Sequence, residues 1–345
     1  MVHPRNILLG AQAGAVSLPV CDHYCGVEAR ITKSLQLQAE MMEEFGACVF
    51  DVTLDCEDGA PVGGEIDHAN MVVSVVLSTC KAPKIVAIPF NKLDDKKPKR
   101  RVAVRVHAVD HASFESDIDI VVGKAGAYLS HVMVPKVDTV ADVEHAVALI
   151  DAANKSTNQL PIHVLLESPK AVHNAFDIAA HPRVQSLSFG LMDFVSSNGG
   201  AIPASAMGLQ GQFTHPLVVR AKLAIASAAH AHGKVPSHCV VTEFSDVDAI
   251  KNAALQAANT LGFTRMWSIH PSQIRPILTA FAPDAQEIDA SSEIITAGIA
   301  AKWAPISYKG TLHDRASYRY YWQVLERAHQ TGRSLDASLT RFFND

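Results

Sequence analysis

The sequence predicts an α/β fold, a (β/α)8 TIM barrel with a C-terminal helical extension. Three observations carry this. Eight short runs rich in Val, Ile, Leu or Phe recur along the chain and are apolar on both faces, as parallel strands covered by helices are. Helical patterns, with apolar residues three or four apart, alternate with those runs. After Phe281 the alternation stops. The expected division is a barrel domain over residues 1–285 and a helical cap or arm over 286–345. An open doubly wound sheet is the runner-up. It lacks a GxGxxG turn after the first strand, for which Gly10-Ala11-Gln12-Ala13-Gly14 is a poor substitute.

In chain order, strands are expected at 6–10, 48–55, 102–107, 131–136, 163–167, 185–190, 238–242 and 266–270. The helix expected over 27–45 is marked by Val27, Ile31, Leu35, Met42 and Phe45, and that over 140–153 by Val140, Val143, Val147 and Ile150. The segment 217–231 is Ala-rich, and Gly233 suits its C-cap. Ser245-Asp246 can cap a helix over 247–261 that ends at Gly262. In the tail, Pro283-Asp284-Ala285 reads as a turn, 288–301 and 316–331 as helices, and 305–315 as a loop.

The 345 residues suit two domains or one barrel plus an extension, and 48% of them are hydrophobic, enough to offset the entropy of ordering the chain. A net charge of -5 argues against a general nucleic-acid binder, which needs a basic face. The one basic run, Lys96-Lys97-Pro98-Lys99-Arg100-Arg101, reads as a solvated loop. No apolar stretch is long enough to span a membrane. Ile7-Leu8-Leu9 is too short for a signal-peptide core, and six cysteines are too sparse for a disulfide scaffold, so a cytoplasmic setting is expected. Cys21, His23 and Cys25 have poor spacing for zinc and read as a loop with ordinary thiols.

Barrel active sites form where strands end. There the sequence places Asp55-Cys56-Glu57-Asp58, Arg105, Glu167, and Gly190 followed at once by Asp193. Two carboxylates from adjacent strands, with waters and a chelating substrate, would make an all-oxygen site of the Mg²⁺ style. The same residues could serve as helix caps and surface ion pairs. Arg105 could be a strand-end ion pair or a clamp for a carboxylate substrate.

Several motifs, in order, resemble the citrate lyase β-subunit and malyl-CoA lyase family, the HpcH/HpaI aldolases. They are Asp55-Cys56-Glu57-Asp58, Val104-Arg105-Val106 and Leu166-Glu167-Ser168, then 178–184 with Leu187-Ser188-Phe189-Gly190-Leu191-Met192-Asp193-Phe194. Leu261-Gly262-Phe263, Ile269-His270-Pro271-Ser272-Gln273-Ile274 and Ala280-Phe281-Ala282-Pro283 continue the match, which spans about 48–330. The resemblance implies the barrel, Mg²⁺, and a C–C bond made or broken beside a thioester. By it, Glu167 and Asp193 hold the metal. Arg105 binds the thioester carbonyl or the 2-oxo acid, and Glu57 and Asp58 steady Arg105 or a metal-bound water. Backbone N–H groups from Gly190 through Met192 to Asp193 help stabilise an oxyanion. Asp314 matches the tail aspartate that a neighbouring subunit supplies as acid/base, and helix capping is its alternative role.

The resemblance thus implies a lyase for malyl-CoA or citramalyl-CoA that works as a homotrimer or homohexamer, with a 2-oxo acid and an acyl-CoA as partners. The sequence departs from the family in four places, one of them the loop from Cys21 to Gly26. At Arg5-Asn6-Ile7-Leu8-Leu9-Gly10-Ala11-Gln12 it lacks the Val-Pro-Gly turn of the family's first strand, which leaves the carrier open. Pro169 follows Glu167-Ser168 in place of a glycine-ended turn, and the stretch from Gly310 to Asp314 is shortened. A CoA-independent 2-oxo-acid aldolase, a malyl-CoA thioesterase and a non-catalytic subunit of a larger complex remain alternatives.

Overall fold

The computed structural model describes residues 3–14, 17–81 and 99–343. Eight parallel strands close into a barrel in chain order: β1 Cys21–Cys25, β2 Phe50–Asp55, β3 Val102–Arg105, β4 Val132–Val134, β5 Ile162–Leu166, β6 Val184–Phe189, β7 Val235–His238 and β8 Arg265–Ser268. β8 returns to β1 with Trp267 opposite Asp22. Outward-facing Val, Leu and Phe residues of the strands pack under surrounding helices, among them Glu28–Phe45, Val140–Ala153, Pro216–Ala231 and Val247–Asn259. The helix Val140–Ala153 shows the local logic. Thr139 and Asp142 close a capping box at its start, and Val143, Ala146 and Ile150 form its buried stripe.

The strand expected at 6–10 is instead part of a helix, Pro4–Leu9. Pro4 is pre-set for the first turn, and His3 accepts a hydrogen bond from the Arg5 N–H at 3.2 Å. The first barrel strand lies at Cys21–Cys25, where a loop was expected. Its composition conceals it, because Asp22 and Tyr24 face a barrel interior that accepts polar groups. The supposed loss of a Val-Pro-Gly turn therefore compared a helix with a strand. Cys21 and Cys25 are unbridged and buried, while His23 is held by Ser268 Oγ at 2.7 Å and Ser34 Oγ at 3.0 Å. The seventh strand begins earlier than expected, at Val235, two residues after Gly233 ends its helix with φ 64°.

The lower end of the barrel is plugged by charge. Arg265, fully buried, reaches Asp22 and Asp51 at 2.7 Å each. Arg101 pairs with Asp51 at 2.6 Å, and Thr53 donates to Asp22 at 2.7 Å. This corrects the reading of the basic run. Arg101 is a floor residue, and Arg100 donates to the Leu35 carbonyl and to Gln38. Lys96, Lys97 and Pro98 lie outside the described residues. Asp22, His131 and His163 offer three ligand atoms within 4.8 Å of one another, with burial holding both imidazoles neutral. Two nitrogens and one oxygen are not a magnesium set. The arginines already balance both aspartates, so a divalent ion would add uncompensated charge. His131 Nε2, His163 Nδ1 and the Arg265 Nε–H lack hydrogen-bond partners and stand beside Asp22 Oδ2. Such a set of acceptors beside a donor suits an enclosed water.

The tail builds a second, smaller core. Ile294 and Ile295 of the helix Ala285–Ala300 join Tyr318, Trp322 and Leu325 of the helix Arg315–Gln330, and Leu8 and Leu9 complete the cluster. Arg5 also reaches Glu326 at 2.9 Å. Between the two tail helices, part of the expected loop is a hairpin, with Ile306–Tyr308 antiparallel to Thr311–His313. Its two turn residues, Lys309 and Gly310, have φ of 46° and 81°, the signs a tight two-residue hairpin turn requires. No helix among the described residues is long and apolar enough to cross a membrane.

Removing the floor cation tests this account. Arg265→Met leaves Asp51 with Arg101 as its one cation and Asp22 buried with none. Urea unfolding should show a loss of about 3–5 kcal/mol, and a loss below about 1 kcal/mol would refute the plug.

Candidate active site

Strand ends and the loops after them surround a cavity of about 640 Å³ at the upper mouth. Asp55, Asp58, Arg105, Glu167, Gly190, Met192 and Asp193 all line it. The structure thus brings together most of the residues singled out from the sequence, and Glu57 joins them through Arg105.

Arg105 is the hub. It grips Asp55 with two parallel bonds, Nε to Oδ1 at 2.8 Å and Nη2 to Oδ2 at 2.6 Å. Nη1 meets Glu57 Oε2 at 2.8 Å, and Nη2 meets Asp58 Oδ2 at 2.9 Å. The β2–β3 register sets this geometry, because Asp55 and Arg105 are opposite partners in the ladder. Asp55 also accepts the Glu57 N–H at 3.1 Å, which turns the acidic loop back over the mouth. Below the guanidinium, at 5.4 Å, lies the Tyr24 ring, itself stacked on Trp267 with centroids 4.2 Å apart. The cavity thus has an aromatic floor under a polar rim.

Glu167 stands just past β5. Its Oε1 accepts the Lys136 N–H at 2.8 Å, and its other oxygen faces Gly190 so closely that a Cβ there would overlap the carboxylate. Burial, then the charges of Asp193 and Glu57, push its pKa from 4.5 up to about 8. Asp193 occupies the first turn of the short helix Leu191–Ser196, beside Gly190. Glu167 and Asp193 thus offer carboxylate oxygens on one side of the mouth, chemistry that fits a hard divalent cation.

Lys136 went unnoticed in the sequence as a site residue. It follows Val134-Pro135 at the end of β4, has φ 53°, and sends Nζ to Glu57 Oε1 at 2.6 Å. A cation one residue past an apolar strand was the available signal. Arg30, Lys33 and Cys239 line the cavity too and were equally overlooked. Asp314 is not among the cavity-lining residues of its own chain. It caps the helix Arg315–Gln330, with Oδ1 accepting from the Ala316 N–H at 2.9 Å and the Ser317 N–H at 3.4 Å.

The raised pKa of Glu167 has a consequence for stability. Between about pH 4.5 and 8 the folded protein keeps a proton that the unfolded chain has released. Stability therefore falls as pH rises through that window. In chelator, Glu167→Gln should melt above wild type, with a gap that widens from about pH 5 to about pH 9. A gap independent of pH would refute the buried charge. Gly190→Ala should displace Glu167, narrowing the same pH-dependent window without unfolding the barrel.

Comparison with known proteins agrees with the barrel fold. Residues 35–271 match the model of the HpcH/HpaI aldolase/citrate lyase family. An L-malyl-CoA/beta-methylmalyl-CoA lyase of Cereibacter sphaeroides is 29% identical over 309 residues, covering 84% of this chain and 90% of that one. A (3S)-malyl-CoA thioesterase of the same organism is 27% identical over 194 residues, 56% of this chain and 61% of that one. The crystal structure of a citrate lyase from Burkholderia xenovorans LB400 superposes with a TM-score of 0.79 at 44% identity, covering 99% of this chain and all of that one. Protein CitE of Mycobacterium tuberculosis, solved with magnesium, acetoacetate and coenzyme A, shares the fold at a TM-score of 0.64, with 21% identity over 90% of this chain and 98% of that one. The chain belongs to the HpcH/HpaI aldolase/citrate lyase family, a family of carbon–carbon lyases.

Proposed function

We propose that the protein is a Mg²⁺-dependent lyase that cleaves a 3-hydroxyacyl-CoA, such as malyl-CoA or citramalyl-CoA, to a 2-oxo acid and an acyl-CoA. The observation that carries this reading is the pairing of Glu167 with Asp193 opposite the Arg105 hub in one cavity. The coverage of the malyl-CoA lyase relative supports it.

Glu167 and Asp193 would hold the metal, which when bound supplies Lewis acidity at the hydroxyl or keto oxygen. The chain's own groups do the rest. Arg105 is fully paired, so an anionic substrate must exchange with one partner. Asp58, whose side chain is 76% exposed, is the partner most readily displaced. Glu57 then steadies the other side of the guanidinium. A carboxylate of the mouth takes the proton of the substrate hydroxyl, the C–C bond breaks with its electron pair passing to the carbon beside the thioester, and Arg105 with the N–H groups from Gly190 to Asp193 offsets the oxyanion charge. A proton must then reach that carbon. The free Oδ2 side of Asp314, carried by a neighbouring copy in a homotrimer or homohexamer, is our candidate donor. Arg30 and Lys33 at the rim suit the phosphates of a CoA carrier. The five cysteines with described side chains are unbridged, which supports a cytoplasmic setting.

The thioesterase relative favours a second reading, in which water then hydrolyses the thioester. One assay separates the two. Malyl-CoA and citramalyl-CoA are offered with Mg²⁺, trapping the 2-oxo acid as a phenylhydrazone while free thiol is followed alongside. Cleavage without free thiol supports the lyase, and thiol in step with it supports the thioesterase. Asp193→Ala should lose about 10²-fold or more with the metal no longer held. Asp314→Ala should lose about 10²–10⁴-fold with metal uptake intact. No 2-oxo acid from either thioester, with metal bound, would refute both substrates and favour an aldolase without CoA.

A further inference from the structure

The carboxylate cluster of the mouth carries more negative charge than the two cations paired with it balance, Arg30 and Lys33 standing apart at the rim. Asp55, Glu57, Asp58, Glu167 and Asp193 stand against Arg105 and Lys136, a surplus of three when all are ionised (five less two). Arg105 is committed to Asp55, Glu57 and Asp58. Lys136 is placed differently. Its side chain is 46% exposed, at the open side of the site, yet its Nζ lies 2.6 Å from Glu57 Oε1. Its own N–H holds Glu167 Oε1 at 2.8 Å. One residue serves both carboxylates because its backbone adopts φ 53°, a region that side chains other than glycine rarely enter. Such conformations persist where the surrounding structure enforces them, commonly at functional sites.

We infer that Lys136 is the charge-balancing residue of the mouth, whose ammonium lets one carboxylate set accept first a divalent cation and then an anionic 2-oxo acid. This rests on the reading of Glu167 and Asp193 as a metal pair. A divalent ion reduces the surplus of three negative charges to one. Without Lys136 the surplus would be four, and two would remain after the metal binds. An incoming carboxylate would then meet a more negative site. The ammonium thus opposes the metal and favours the substrate anion. A residue that only kept the loops in place would affect both ligands in the same direction.

The test uses Mn²⁺ alone and then oxalate, a chelating dianion shaped like a 2-oxo acid. Mn²⁺ is titrated calorimetrically into metal-free wild type, Lys136→Met, Lys136→Gln and Lys136→Arg, and oxalate into each Mn²⁺-loaded protein. Both uncharged variants should bind Mn²⁺ about fivefold tighter and oxalate about fivefold weaker, with Lys136→Arg within about twofold of wild type for each. Two uncharged variants guard against one that folds poorly. Any result in which the two affinities do not move in opposite directions overturns the inference. A wild-type protein that takes up no Mn²⁺ overturns the metal reading beneath it.

Discussion

Arg105 carries a permanent positive charge into a buried position, and Asp55 meets it there with two parallel bonds along one edge of its guanidinium. Removing Arg105 would leave Asp55 buried without a cation, a far larger loss than the pair itself contributes. The ladder between β2 and β3 fixes the two residues opposite each other, so backbone register decides whether the pair can form. Glu57 and Asp58 then follow, since the loop that carries them is drawn over the same guanidinium.

The barrel solves the same problem at both ends with different means. Its floor is closed and balanced, with Arg265 and Arg101 against Asp22 and Asp51. Its mouth is open and deliberately unbalanced, with carboxylates outnumbering cations. A closed barrel has one interior, and alternate residues of each strand must enter it. Between the two polar layers lie Tyr24, Met133, Leu165 and Trp267, an apolar band that keeps the layers from direct contact.

Much of this was legible in the sequence. Apolar strands covered on the outside, such as β5 and β6, announced themselves, and so did helices with strong caps, such as Val140–Ala153. β1 did not. Cys-Asp-His-Tyr-Cys reads as a loop because hydropathy says nothing of partners, and Asp22 is tolerable only once Arg265, far along the chain, lies beside it. The helix Pro4–Leu9 failed for the converse reason, since its apolar residues pack against a tail core the local pattern does not reveal. At the site, acidic residues at strand ends were visible as a group. Lys136 was not, because its importance lies in a backbone angle and in two carboxylates from other strands. Asp314 was singled out only by resemblance, and within its own chain it is a helix cap.

The small core that joins Leu8 and Leu9 to Trp322 and Leu325 bears on how the protein is made. A ribosome releases the N-terminal segment long before the tail helices, so that core cannot form until they have emerged. The barrel's own cluster ends at Phe281 and needs none of the tail. The barrel can therefore close while the tail is still being translated, with the early segment waiting unpaired for it. During that interval the apolar face of the first helix is open to solvent, and a chaperone that shields short apolar segments would find its binding site there.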